Sequence, residues 1–153
     1  HRDLEAWQLA HDVRCAILEL TSREPVKREF NFCDQARRAA NSACRNIAEG
    51  FYRFRHPEFA HFVNIAKGSL GELFDSLDEA RVKRYVLEPE YQRLHALIDR
   101  AMGAAVKLHR YLDNSPTPPR RSSGTATMTG SRTSCCSLPR APRASPGVTL
   151  WLI

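Results

Sequence analysis

The sequence predicts an all-α protein: an antiparallel, up-down-up-down four-helix bundle followed by a disordered C-terminal tail. Three observations predict it. Apolar residues recur at helical spacing through four segments between residues 2 and 112, with no strand-like alternation flanked by turn residues. Two of those segments open on a residue–proline pair, His56-Pro57 and Glu88-Pro89, with proline in the first helical turn that tolerates it. Composition then changes abruptly after Asp113: residues 114–153 hold six of the nine prolines, seven serines and six threonines.

The first helix is expected from about Asp3, a good N-cap, to about Ser22, before Glu24-Pro25. Leu9, Val13, Ala16, Ile17 and Leu20 form one apolar stripe. Leu4, Trp7, His11, Cys15 and Leu18 form a second on nearly the opposite side. A helix that is apolar on two sides is covered on two sides. In a lone bundle each helix has one inward face, so Leu4, Trp7, His11 and Leu18 are candidate subunit-interface residues.

The second helix, about Phe32 to Arg53, is built on small residues: Ala36, Ala39, Ala40, Ala43 and Ala48, with Ile47 and Phe51. They let a neighbouring helix come close. Opposite lie Arg38, Ser42, Arg45, Glu49 and Arg53, with Glu49 four residues from both Arg45 and Arg53. The first helix offers an acidic row every seven residues, Glu5, Asp12 and Glu19, with which Arg38 and Arg45 can form a salt ladder within or between subunits.

The third helix runs from His56-Pro57 to near Lys83, with Phe59, Phe62, Val63, Ala66, Leu70, Leu73, Phe74 and Leu77 as its core stripe. Gly68 and Gly71 lie mid-helix, where each costs about 1 kcal/mol relative to alanine. Close approach of another backbone is the expected reason. The fourth helix runs from Glu88-Pro89 to near Leu112, with Tyr91, Leu94, Ile98, Ala101, Met102, Ala105, Val106 and Leu112 inward. Arg93, Arg100 and Lys107 recur every seven residues on its outer side.

Residues 1–113 form one expected domain and 114–153 the tail, too poor in large apolar side chains to offset its ordering entropy. The net charge of +6 divides unevenly. Residues 1–113 carry 18 basic and 17 acidic side chains, whereas 114–153 carry five arginines and no acid. The basic character therefore says little about the folded body. No apolar run approaches the length of a membrane span, and no secretory h-region is evident, so a cytoplasmic protein is expected. Cys15, Cys33 and Cys44 read as small core residues in a reducing compartment. No C-x-x-C motif points to a disulfide or redox role.

Catalytic and cofactor chemistry is not expected. A di-iron bundle needs Glu-x-x-His on two helices plus a Glu on each of the others. Glu58-Phe-Ala-His61 supplies the motif once, while Gln92-Arg-Leu-His95 has glutamine where a carboxylate is required. There is no H-E-x-x-H, phosphate-loop or G-x-S-x-G motif. No metal, cofactor or small-molecule substrate is therefore expected. The basic positions Arg38, Arg45, Arg53, Arg93, Arg100 and Lys107 are the candidate nucleic-acid contacts, as phosphate partners that do not read sequence. A protein–protein scaffold is the alternative.

Four stretches together resemble a known family: Asp3-Leu-Glu-Ala-Trp-Gln-Leu-Ala-His11, Gln35-Ala-Arg-Arg-Ala-Ala40, Asn46-Ile-Ala-Glu-Gly-Phe51 and Ile65-Ala-Lys-Gly-Ser-Leu-Gly-Glu-Leu73. Residues 2–112 resemble the bacterial 23S rRNA intervening-sequence proteins, and are similar to the accessory variability determinant of diversity-generating retroelements. The resemblance implies an antiparallel bundle assembled as a homopentamer, with RNA, DNA or a reverse transcriptase as partner and no catalytic residues. It implies structural roles for Trp7, Asn46, Glu49 and Gly50.

Overall fold

The computed structural model describes residues 1–53 and 55–115. Among them are four helices: α1 (Glu5–Leu20), α2 (Phe30–Tyr52), α3 (His56–Val82) and α4 (Glu88–Asn114). A single 3₁₀ turn, Val26–Arg28, interrupts the α1–α2 connection. There is no strand among the described residues. Each helix packs on the two next to it in a ring α1–α2–α3–α4–α1. Consecutive helices are antiparallel: the end of α2 meets the start of α3, and Tyr91 early in α4 reaches Asp78 late in α3. The result is the expected up-down-up-down bundle.

Local sequence explains the ends. The proline signals hold: α3 and α4 both begin with Pro in the first turn, after extended Arg55 and Leu87. The N-cap of α1 is Leu4 rather than Asp3; its carbonyl accepts the Gln8 N–H, and no side chain caps the helix. Helix α2 starts two residues before Phe32, at Phe30, because the 3₁₀ turn delivers the chain there already coiled. At the end of α3 the chain reverses through Arg84, at φ 57°, and the Tyr85 N–H donates to the Ala80 carbonyl at 2.8 Å. Helix α4 runs to Asn114, one residue past the expected domain boundary. The expected tail from residue 116 onward lies outside the described residues.

The core is one cluster running the length of the bundle. Ile17, Leu20, Ile47, Leu70, Leu73, Leu77 and Ile98 are its largest fully buried side chains. The alanines of α2 (Ala36, Ala39, Ala40, Ala43) are buried and bring that helix close to its neighbours. Gly50 is the tightest point: a Cβ there would lie 2.5 Å from Phe59 Cδ2 and 2.9 Å from Phe62 Cβ. Only glycine fits that α2–α3 contact.

Three expectations about faces are corrected. Phe51 and Val106 are exposed rather than in the core stripes, because each sits at the edge of its helix's inward arc. Among the described residues, no other part of the chain lies within 4 Å of a Cβ added at Gly68 or Gly71, so no neighbouring helix approaches them. Cys33 and Cys44 are buried as expected, but Cys15 is exposed on the outer side of α1.

Polar ties set the register between helices. Thr21 is fully buried at the α1 C-terminus and donates through Oγ1 to the Ile17 carbonyl at 2.8 Å. Arg37 of α2 donates to both Thr21 Oγ1 and the Thr21 carbonyl, each at 2.8 Å. Ser42 and Ser69 share a hydrogen bond of 2.8 Å across α2 and α3. Asn46 donates to the Ser42 carbonyl at 2.8 Å, which accounts for one residue of the Asn46–Phe51 stretch. The Tyr91 hydroxyl donates to Asp78 at 2.7 Å, with the Arg81 guanidinium over its ring. Just past α1, Arg23 pairs with Glu90 of α4 at 2.6 Å.

Candidate functional site

The surface features that sequence singled out occupy two neighbouring faces of the bundle. The first is the outer side of α1. Its inward arc, centred on Val13, is covered by the other helices. Its outer arc is not. Leu4, Trp7 and His11 stay half-buried, and Cys15 and Leu18 are exposed. The Trp7 and His11 rings lie 5.1 Å apart, one helical turn from each other, and Cys15 Sγ sits 3.6 Å from His11 Nδ1. Beside Trp7, at the end of the bundle where α2 finishes, Phe51 and Tyr52 are exposed and pack edge to face. No helix of this chain covers that aromatic corner among the described residues.

The second face carries the basic row of α2. Arg38, Arg45 and Arg53 are all exposed on α2. Arg38 is tied to Asp34 one turn earlier at 3.0 Å, and Arg53 to Glu49. That hydrogen bond with Glu49 raises the Arg53 pKa. Arg45 makes no ion pair among the described residues. The expected ladder between Arg38 or Arg45 and the acidic row of α1 does not form within the chain, because Glu5, Asp12 and Glu19 look toward α4 instead.

That direction changes the reading of the α4 row. Asp12, Glu19, Arg93 and Arg100 line one open groove between α1 and α4, about 580 Å³ in volume, over Ala16, Leu94 and Leu97. Glu5 and Lys107 line a neighbouring hollow of about 260 Å³. Antiparallel packing puts Glu5 level with Lys107, Asp12 with Arg100 and Glu19 with Arg93. The Arg23–Glu90 pair fixes that register at the groove's end. The α4 row thus faces three acids across the groove.

The remaining chemistry is structural in cause. Burial pushes the Cys44 thiol up to about 11 and also raises that of Cys33. The hydrogen bond to Asp78, then burial, raises the Tyr91 hydroxyl. Glu58 is held by Arg55 at 3.1 Å, and His61 is exposed against Phe62. Among the described residues no three His, Cys, Asp or Glu side chains gather as a metal-ligand group, and no helix is long and apolar enough to cross a membrane. The Arg14 Nε is a buried donor with no partner among the described residues, beside Cys44 in the α1–α2 seam. Sequence gave no signal for it, since only packing decides where a long side chain is enclosed.

These features define a small antiparallel helical bundle with one uncovered aromatic stripe and outer charge rows. The chain belongs to the 23S rRNA-intervening sequence protein family, whose family model matches residues 2–106. No curated protein matches it.

Proposed function

We propose that this chain is a non-enzymatic bundle that assembles with copies of itself, as the pentamer the family resemblance implies. The assembled particle contacts structured RNA as an accessory factor, alone or beside a nucleic-acid enzyme such as a reverse transcriptase. One observation carries the reading: on the outer arc of α1, among the described residues, Leu18 is exposed and Leu4, Trp7 and His11 are only half-buried. An aromatic stripe of that kind is what a subunit interface buries. The shifted titratable groups, chiefly Cys33, Cys44 and Tyr91, are explained by burial and local pairing, which supports a non-catalytic role.

The α2 arginines are the phosphate contacts in this reading. Arg45 has no ion-pair partner among the described residues, and exposed pairs such as Arg38–Asp34 contribute only about 0.3–0.5 kcal/mol, so a phosphate readily replaces the carboxylate. Repeated around an oligomer, the row's field adds. The test is light scattering on the full chain with a structured RNA titrated at several salt concentrations. A defined oligomer that takes up RNA, and loses both affinity and salt slope in an Arg38→Glu/Arg45→Glu/Arg53→Glu variant, is expected. A wild-type monomer refutes the assembly, and unchanged RNA binding in the variant refutes the phosphate assignment. The protein–protein scaffold is favoured by one observation, the acidic row that faces Arg93 and Arg100. It predicts an oligomer that ignores RNA.

A further inference from the structure

The α1–α4 groove carries opposite charge on its two banks. Glu5, Asp12 and Glu19 stand every seven residues on α1, and Lys107, Arg100 and Arg93 at the same interval on α4. All six are exposed. Each acid is level with a base, yet no ion pair joins the two banks among the described residues. The pair that does form on this side is Arg23–Glu90 at the groove's end. Between the banks lie Ala16, Leu94 and Leu97. A polyanion laid in the groove meets repulsion from α1, and a polycation meets it from α4. The surface therefore selects a partner with two rows of opposite sign at helical heptad spacing.

The chain itself is such a partner. Turn a second copy by 180° about an axis running along the groove, in the plane of contact. Its α4 then lies over α1 of the first copy, antiparallel and at the same levels. Asp12 meets Arg100 of the second copy, Glu19 its Arg93 and Glu5 its Lys107, and the reciprocal three contacts follow by symmetry. Turning the copy about an axis across the groove sets α1 on α1, acid on acid, so only one orientation is allowed. The geometry points to this face as a two-fold, self-complementary contact between two copies of the chain, beside the aromatic stripe of α1, whose Leu4 and Cys15 reach its edge. Complementary charge at matched spacing selects the partner and its register. Exposed ion pairs make the contact sensitive to salt.

The experiment is sedimentation of the full chain at about 0.01 M and about 1 M salt, where the screening length falls from roughly 30 Å to 3 Å. The expected result is a particle mass twice as large at low salt. Two variants complete it, with helical content checked by circular dichroism: Asp12→Arg/Glu19→Arg, which leaves Glu5 as the one acid of the two rows, and Arg93→Glu/Arg100→Glu, which leaves Lys107 as their one base. Each alone is expected to lose the low-salt doubling. Mixed in equal amounts, they regain it as a heteromeric particle. A mass independent of salt, doubling that survives in either variant alone, or no heteromeric particle on mixing overturns the inference. Trp7→Ala separates this contact from the assembly proposed above: it removes salt-resistant association and leaves the salt-sensitive doubling.

Discussion

Replacing Gly50 by alanine tests whether the α2–α3 contact is as close as the structure has it. The added Cβ would stand 2.5 Å from Phe59 Cδ2 and 2.9 Å from Phe62 Cβ, both nearer than carbon atoms rest. Phe59 is buried and its ring leans on Phe51, so it has little room to turn away. Overpacking of this kind costs about 1–3 kcal/mol, and two simultaneous clashes place Gly50 at the upper end. Alanine returns about 1 kcal/mol through its better helix propensity. The net expectation is a loss of about 2 kcal/mol, or a fall in melting temperature of about 8 °C for a domain of this size. Urea unfolding followed by circular dichroism measures it directly. A variant as stable as the parent, or more so, would refute the close approach and with it the packing of the α2 C-terminus on the α3 N-terminus.

Gly68→Ala and Gly71→Ala are expected to behave oppositely. With open space around both positions, each gains about 0.5–1 kcal/mol of stability in the same unfolding assay. Thr21→Val removes the hydroxyl that accepts from Arg37 Nε in a fully buried position, and is expected to lower stability by about 1–3 kcal/mol. Arg37→Met, which removes the stranded donor as well, is expected to recover part of that loss when combined with it. Stability is also expected to fall in alkali. The Cys44 thiol ionises near 9 in the unfolded chain and near 11 in the fold, so the unfolded state sheds its proton first as pH rises. The effect is absent below pH 9 and reaches on the order of 2 kcal/mol by pH 11. Cys44→Ala flattens that part of the pH profile, which unfolding at pH 8, 9, 10 and 11 reports.

Much of this architecture was written locally. The prolines at 57 and 89 announced two helix starts because their missing N–H and preset φ suit the first turn and no later one. The second apolar stripe of α1 was visible because helical periodicity assigns faces before any partner is known. Gly68 and Gly71 show the limit of that argument. Their cost to the helix is a local property, but whether anything approaches them depends on the neighbouring helices, and among the described residues none does. The start of α2 was missed by two residues because the 3₁₀ turn before it carries no proline or glycine signal at its junction.

The sequence by itself determined the helices, their inward stripes and the heptad spacing of the charge rows, since each depends only on residues a turn or two apart. Tertiary structure alone decided which rows meet. Glu5, Asp12 and Glu19 could have faced the arginines of α2, and periodicity treats both neighbours of α1 alike. The handed arrangement of four helices around one core sets them opposite Lys107, Arg100 and Arg93. It also encloses Thr21 with Arg37 and closes Phe59 onto Gly50. Contacts between residues distant in the chain follow from how the helices pack, and packing is a property of the whole bundle.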